Sequence, residues 1–262
     1  MESSESIFFS VITVVRNDFD GLIKTSNSIS LQDFASYQWI VIDGASTDET
    51  ISFLKNSDSK FLKWISESDK GIYDAMNKGI KNSAGHYIVF LNAGDVFPDK
   101  STLSSIYTKL VGDNFPDVLL GGAMLLLPSL KSIYRAPKDL SSYIWHGLPS
   151  NHQATYYKNE VLSNTLYDIS YRITGDYYLI ANLYKKGISS CIFNKSLVNF
   201  RVGDLSFQNP LQLLRESNKV QKQVLKLGLP TRIFSTSKKI LAISFLYLLA
   251  KKYIPNIFFS SK

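Results

Sequence analysis

The stretch Ser66–Asp95, SESDKGIYDAMNKGIKNSAGHYIVFLNAGD, constrains the fold more than any other part of this chain. Ile72, Ala75, Met76, Gly79 and Ile80 recur at i, i+3, i+4, i+7 and i+8, the apolar stripe of a helix, with Tyr73, Asp74, Asn77, Lys78 and Lys81 mainly on the other side. Gly71 stands at the helix start, where the backbone can approach a ligand and its N–H groups can receive a phosphate. Tyr87-Ile88-Val89-Phe90-Leu91 then reads as a buried strand and ends in Asn92-Ala93-Gly94-Asp95. A buried parallel strand closing on a carboxylate delivers that carboxylate to the carboxyl edge of the sheet, where open α/β folds bind ligands.

The rest of the N-terminal half repeats this alternation. Phe8–Val15 is a continuous apolar and β-branched run broken by Arg16-Asn17-Asp18, and 19–29 reads as a helix capped by Asp18 or Asp20. Gln38–Asp43 is a second strand and Phe61–Ile65 a third; Glu49–Asn56 lies between them as a helix, capped by Ser46 or Thr47. Strand–helix alternation predicts a mostly parallel sheet with right-handed crossovers. Helices are expected at 101–110, 177–186 and 210–227, the last stopped by Gly228, with strands or hairpins at 117–127 and 188–200.

At 262 residues the chain accommodates one sizeable α/β core. A single cysteine, Cys191, forbids an intramolecular disulfide and fits a reducing compartment. MESSES at the start lacks the basic and apolar segments of a secretory signal. The net charge of +7 suits anionic lipid or a phosphorylated substrate. Nucleic acid is not an expected partner: there is no zinc-finger spacing and no RNA-binding aromatic signature. A dinucleotide site is disfavoured because no G-x-G-x-x-G follows a strand.

Four segments together resemble glycosyltransferase family 2, enzymes of bacterial polysaccharide and colanic-acid-type biosynthesis with the GT-A fold: VITVVRN at 11–17, IVIDGASTD at 40–48, SESDKGIYDAMNKG at 66–79 and LNAGD at 91–95. The likeness covers roughly the first hundred residues and continues more weakly in His152-Gln153-Ala154-Thr155 and Thr174-Gly175-Asp176-Tyr177. It implies a GT-A α/β domain over 1–208 and leaves 209–262 as a basic amphipathic helical tail. It also implies an inverting, metal-dependent hexosyltransferase. The donor is a nucleoside diphosphate sugar, the acceptor a glycan or lipid-linked molecule, and the setting surface polysaccharide biosynthesis.

Residue by residue, the resemblance implies that Thr13, Val15, Arg16 and Asp43 hold the nucleoside. Asp69, Lys70, Gly71, Asn77 and His152 would contact the donor, as would Arg201 from a loop closing on the diphosphate. In Asn92-Ala93-Gly94-Asp95 the family's first acid is replaced by Asn92 and its next by Gly94. Asp95 is then the metal ligand, for Mn2+ or Mg2+, with Asn92, Ala93 and Gly94 lining the donor. Asp176 is the base that takes the acceptor's proton, with Asp168 as substitute. Each residue also has a plainer reading: Asp43 as a turn former, Asp69 and Lys70 as a solvated pair, Asp176 as a helix cap, Asp95 as a loop cap and His152 as a packing residue. Tyr143, Trp145 and His146, in an irregular aromatic segment at 138–149, either line an acceptor site or simply pack.

In the tail, Lys238-Lys239 and Lys251-Lys252 bracket Ile240–Ala250, an apolar run of 11 residues, short of the ~20 a membrane span needs. Basic flanks around an apolar middle read as a helix in an anionic membrane interface; a helix packed on the domain is the alternative. The expected location is the cytoplasm, with the tail at the inner face of the cell membrane. Two other functions fit: a non-catalytic sugar-nucleotide-binding or membrane scaffold protein, and a sugar-phosphate nucleotidyltransferase, which ordinarily needs a glycine- and basic-rich loop where this chain has Val15-Arg16-Asn17-Asp18.

Overall fold

The computed structural model describes residues 6–126, 132–201 and 209–253, with the backbone only for Arg201 and for 245–253. Four parallel strands form one half of its sheet: β1 (Phe9–Val15), β2 (Tyr37–Asp43), β3 (Leu62–Ser66) and β4 (Tyr87–Phe90), in the order β3-β2-β1-β4. The helices α1 (Phe19–Ser30), α2 (Thr50–Lys55) and α3 (Ile72–Lys81) connect them. The chain builds outward from β1 to β3 and then returns to place β4 on the other side of β1. This reversal opens a crevice at the carboxyl ends of β1 and β4, the usual ligand position in open α/β sheets.

The other half is mixed. After α4 (Thr102–Gly112) come β5 (Val118–Leu126), β6 (Ile133–Arg135), the single turn α5 (Leu140–Tyr143), a 3-10 turn at His152–Ala154, β7 (Thr155–Lys158) and α6 (Asn159–Ser163). β7 joins β4 antiparallel, and β5 pairs antiparallel with β7 and then with β6. α7 (Gly175–Lys185) leads to β8 (Ser190–Arg201), which runs parallel beside β5. The register slips at Gly121 and Gly122, the glycines whose sequence context suggests a bulge. Two helices complete the described chain, α8 (Pro210–Gln223) and α9 (Leu229–Tyr253).

All seven residues of β1 and all seven of β2 are buried. Strand alternation deals them to two cores. Ile12, Val14, Ile40 and Ile42 pack under α3 and α7, while Phe9, Val11, Trp39 and Val41 pack under α1 and α4. This three-layer arrangement explains why the strands read as unbroken apolar runs.

The organising helix departs from its expected polar side. Tyr73 and Asn77 are buried because α3 is covered a second time, by the segment before α7. Asn77 is wholly spent there: its amide donates to the Tyr167 carbonyl at 2.9 Å and its oxygen accepts from the Tyr167 N–H at 2.9 Å. The start of α2 also differs: its N-cap is Glu49, without a side-chain bond, and the residue before it supplies the acceptor. Asp48, not Ser46 or Thr47, accepts from Thr50 N–H at 3.1 Å and from Phe19 N–H at 3.1 Å, tying the starts of two helices together.

Candidate active site

The registers Val15↔Asp43 and Asp43↔Ser66 align three strand ends on one edge. The loops leaving that edge are cross-linked. Asn17 and Ala45 adopt left-handed φ of 50° and 57°, Asn17 N–H donates to the Ser46 hydroxyl at 2.8 Å, and Thr47 N–H donates to Asn17 Oδ1 at 2.8 Å. Non-glycine residues in this region are sparse and concentrate at functional sites. Above these loops opens a cavity of about 720 Å³, within the size range of small-molecule sites. One wall is Val14, Val15, Arg16 and Asp69 with Gly71 and Tyr73; the floor is Asn92, Ala93, Asp95 and His152; Asp176 with Thr174 stands opposite.

Thr13 and Asp43 lie behind this wall. Thr13 is fully buried, donating to the Leu91 carbonyl at 2.8 Å and accepting from the Trp39 indole at 2.9 Å. Asp43, also fully buried, accepts from Ser46 N–H at 3.0 Å and from the Ser66 hydroxyl at 2.6 Å. Its turn-forming role is therefore realised, and it supports the wall from beneath. Lys70 is exposed and absent from the cavity lining. The amides expected to receive a phosphate are already engaged, Lys70 N–H with Asp74 at 3.0 Å and Gly71 N–H with Asp69 at 2.8 Å. Gly71 has φ 119° with open space around it, so the residue is needed for its backbone conformation.

The turn after β4 is pinned from α1. The Thr25 hydroxyl donates to the Asp95 carbonyl at 2.7 Å and accepts from Gly94 N–H at 3.0 Å. Gly94 has φ 91°, which is why no side chain follows Ala93 there. Asp95 is 4% exposed and accepts from the Gln153 amide at 3.1 Å. The side-chain oxygens of Asn92 and Gln153 are buried without a hydrogen-bond partner. Such an orphaned oxygen costs desolvation energy unless a ligand fills the role. The Asp95 carboxylate with the Asn92 amide oxygen, both lining the cavity, is a hard-oxygen donor pair that fits Mg2+ or Mn2+, cations that complete their shell with substrate phosphates and water, while Gln153 steadies that carboxylate from below. Among the described residues no group of three or more His, Cys, Asp or Glu gathers for a metal, so a cation here depends on oxygens from the ligand.

His152 links floor to far wall. Its Nε2 lies 3.5 Å from the Asn92 amide nitrogen and its Nδ1 lies 3.5 Å from Asp176 Oδ2. Asp176 is the second residue of α7, behind the N-cap Thr174, and is 8% exposed. Three contacts fix its approach. Tyr73 OH donates to the Ile173 carbonyl at 2.8 Å. Gly175 packs so closely on Tyr73 that a Cβ there would sit 2.6 Å from the ring. Glu216 of α8 accepts from the backbone N–H groups of Arg172, Ile173 and Thr174 at 3.1, 3.0 and 2.9 Å. Burial raises the Glu216 carboxyl, but these amides together with Gln212 outweigh it and hold its pKa below the ordinary value. Asp168, the substitute base, caps Ser170 N–H at 2.9 Å and lines a separate hollow with Tyr171 and Lys219, outside this cavity.

The remaining wall holds two cations that no motif signals. Arg135 donates to the Leu148 carbonyl at 3.1 Å and to Asn151 at 3.5 Å; burial lowers its pKa. Lys239 of α9 lines the cavity, donating to the His146 carbonyl and the Ser235 hydroxyl. Burial pushes its pKa down to about 8. His146 is held neutral, its pKa pushed down to about 4 by burial and then by Lys239 and Lys238. His146 and Tyr143 line the same cavity. The Arg201 side chain lies outside the described residues.

Known proteins share both the sequence and the shape of this edge. The family model for glycosyl transferase family 2 matches residues 10–141. An uncharacterised glycosyltransferase of Mycobacterium tuberculosis is 32% identical over 170 residues, spanning 64% of this chain and 65% of that relative. A Mycobacterium bovis PGL/p-HBAD biosynthesis glycosyltransferase is 27% identical over 174 residues, 64% of this chain and 66% of its own length. The chain spans just under two thirds of the length of these two relatives. Among solved structures, TarS of S. aureus superposes with TM-score 0.67 over 92% of this chain and 72% of its own at 19% identity. A mannosyltransferase from Pyrobaculum calidifontis, in complex with GDP-Man and Mn2+, gives 0.64 over 94% and 81% at 15%. The fold is that of the GT-A glycosyltransferases. The family match takes in half of the chain and each strand end from β1 to β4 that walls the cavity, and on this basis the chain belongs to glycosyltransferase family 2.

Proposed function

We propose that the chain transfers a sugar, with inversion, from a nucleoside diphosphate donor to a hydroxyl of a glycan or lipid-linked acceptor in surface polysaccharide biosynthesis. The observation that carries this reading is the placement of Asp176: a buried carboxylate facing the same cavity as Asp95 and joined toward Asn92 through His152. In this reading the nucleoside rests against Val15, Arg16 and Asp69, with Asp43 beneath. Asp95, with Asn92, would hold Mn2+ or Mg2+, which when bound neutralises the diphosphate. Asp176 accepts the acceptor hydroxyl's proton as that oxygen bonds to the anomeric carbon; the carbon–oxygen bond to the diphosphate breaks and the nucleoside diphosphate leaves. A carboxylate serves as base at neutral pH, and no second acid is needed because the diphosphate leaves as a stable anion. TarS in complex with UDP-GlcNAc and the mannosyltransferase with GDP-Man and Mn2+ support a sugar-nucleotide donor.

The test is a thermal-shift series with UDP, GDP, CDP and dTDP, each with Mn2+, Mg2+ or EDTA, on wild type and Asp95→Ala. A ligand at a hundredfold excess over Kd stabilises the native state by about 2.7 kcal/mol. One nucleotide should give a metal-dependent shift that Asp95→Ala abolishes. Failure of every nucleotide at millimolar concentration would count against a donor site and favour the scaffold reading.

A further inference from the structure

Helix α9 is docked inside out. Its contacts with the domain run along a polar stripe. The Arg232 guanidinium donates to Asn218 at 2.7 Å; Ser235 is fully buried and accepts from Gln221 at 2.7 Å, with His146 Nδ1 at 3.0 Å; Lys239 donates to the His146 carbonyl. These positions are spaced i, i+3 and i+7, one face of a helix. The opposite face points outward and carries five large apolar side chains, with Ser237 and Ser244 exposed among them: Leu229, Ile233, Phe234, Ile240 and Leu241 are 59, 56, 58, 47 and 70% exposed. A helix packed on a soluble domain normally presents the reverse pattern, and five large exposed apolar side chains within thirteen residues exceed the scattered singles of an ordinary surface.

We propose that this outward face of α9 seats in an anionic lipid interface. Charge selects lipid over a second copy of the chain. Nine of the 29 Lys and Arg, and none of the 22 Asp and Glu, follow Glu216, which leaves 20 cations against 22 anions up to and including Glu216. The whole positive excess therefore sits in the tail, where it repels a like face and attracts an anionic one. At the edge of the face, Phe234 stacks on Trp145 at 6.0 Å, and Lys238 Nζ lies 5.7 and 5.6 Å from the two rings. Aromatic rings beneath a lysine head suit the boundary between headgroups and acyl chains. The apolar run continues to Ala250 and is about 16 Å long as a helix, half the ~30 Å of a bilayer core. Among the described residues no helix is long and apolar enough to cross a membrane. The helix therefore lies along the interface, with Lys239 on its inner side facing the cavity. An acceptor carried in the same lipid layer would reach the cavity from that side; this last step alone rests on the transfer reading.

The experiment is co-sedimentation of the full chain with vesicles of phosphatidylcholine alone or mixed with phosphatidylglycerol, without donor or acceptor. The expected result is binding to the mixed vesicles and much weaker binding to phosphatidylcholine. Lys238→Glu should weaken binding about thirtyfold, since two charge units each contribute roughly 1 kcal/mol near an anionic surface. Phe234→Ser combined with Leu241→Ser should weaken it at least about tenfold. Thermal melts of both variants should stay close to wild type, because the altered side chains are largely exposed and Phe234 gives up little beyond its stack on Trp145. Wild type left in the supernatant with mixed vesicles would overturn the proposal, as would variants that bind like wild type. A concentration-dependent dimer lost in the double variant would assign the face to a second copy and also overturn it. Nucleotide-induced thermal shifts are measured separately, so failure here leaves the transfer reading untouched.

Discussion

The two sides of the cavity are built in opposite ways. The β1–β4 side is a row of strand ends and their own loops, each held by neighbours on the same edge: Asp43 by Ser46 and Ser66, Asn17 by Thr47, the Asn92–Asp95 turn by Thr25. The Asp176 side is stitched from distant segments. Tyr73 from α3, Glu216 from α8 and His152 from a 3-10 turn converge on the first turn of α7, and Lys239 arrives from α9. The edge proposed to face the donor is thus preformed by the sheet, whereas Asp176, the proposed base, depends on tertiary packing. Substitutions on the two sides should therefore separate nucleotide binding from transfer.

The largest effect is expected at Glu216. Glu216→Ala removes the acceptor for three backbone N–H groups; Arg172's is exposed and can turn to water, while the part-buried pair at Ile173 and Thr174 each cost about 1–3 kcal/mol if left unsatisfied, so the protein should lose about 2–4 kcal/mol by chemical denaturation. Transfer should fall with it while nucleotide affinity in the folded fraction is kept. Glu216→Gln should recover part of both. Because the folded-state carboxyl is held below its ordinary 4.5, its contribution is present above that pH and lost as pH falls through the lower folded value. Acid unfolding curves of Glu216→Gln should accordingly be flatter than wild type. Equal loss of nucleotide affinity in Glu216→Ala would break the separation of the two sides.

Gly175→Ala comes next. Its Cβ would sit 2.6 Å from the Tyr73 ring, and overpacking of this kind costs about 1–3 kcal/mol. Transfer should drop more than nucleotide binding does. Gly94→Ala is its counterpart on the other side: forcing an L side chain to φ 91° costs about 1–2 kcal/mol, and here nucleotide affinity should suffer first, read by titration calorimetry. The last effect, at Lys239, is confined to the pH dependence of stability. Its folded pKa is about 8 against an ordinary 10.5, so the unfolded chain binds more protons between those values and stability rises with pH across that window. Lys239→Met should lack this rise, a difference of at most about 3 kcal/mol, reduced by solvent screening.

Legibility followed the same division. β1, β2 and β4 were readable to within a residue because buried parallel strands are continuous apolar runs between turn residues, and the carboxylates at their ends follow from where the runs stop. Asp176 was readable as the acid opening an amphipathic helix. Tyr73 and Asn77 fall on the polar side of α3 by period yet are buried, since one helix period cannot announce a second covering layer whose contact residue, Tyr167, lies 90 residues after Asn77. The closed state of Asp43 follows from strand register, which the sequence does not display. Arg135, Lys239 and Glu216 carry no local signal at all: each gains its role from a partner on another element.

The most direct test of the account is sugar transfer by Asp176→Asn, measured beside calorimetric nucleotide binding on the same preparation. The carboxamide preserves shape and the contact with Tyr177 N–H at 2.8 Å while removing the proton acceptor. Transfer should fall by about 10²- to 10⁴-fold with nucleotide affinity unchanged. Transfer within a few fold of wild type would contradict this and remove Asp176 from the reaction.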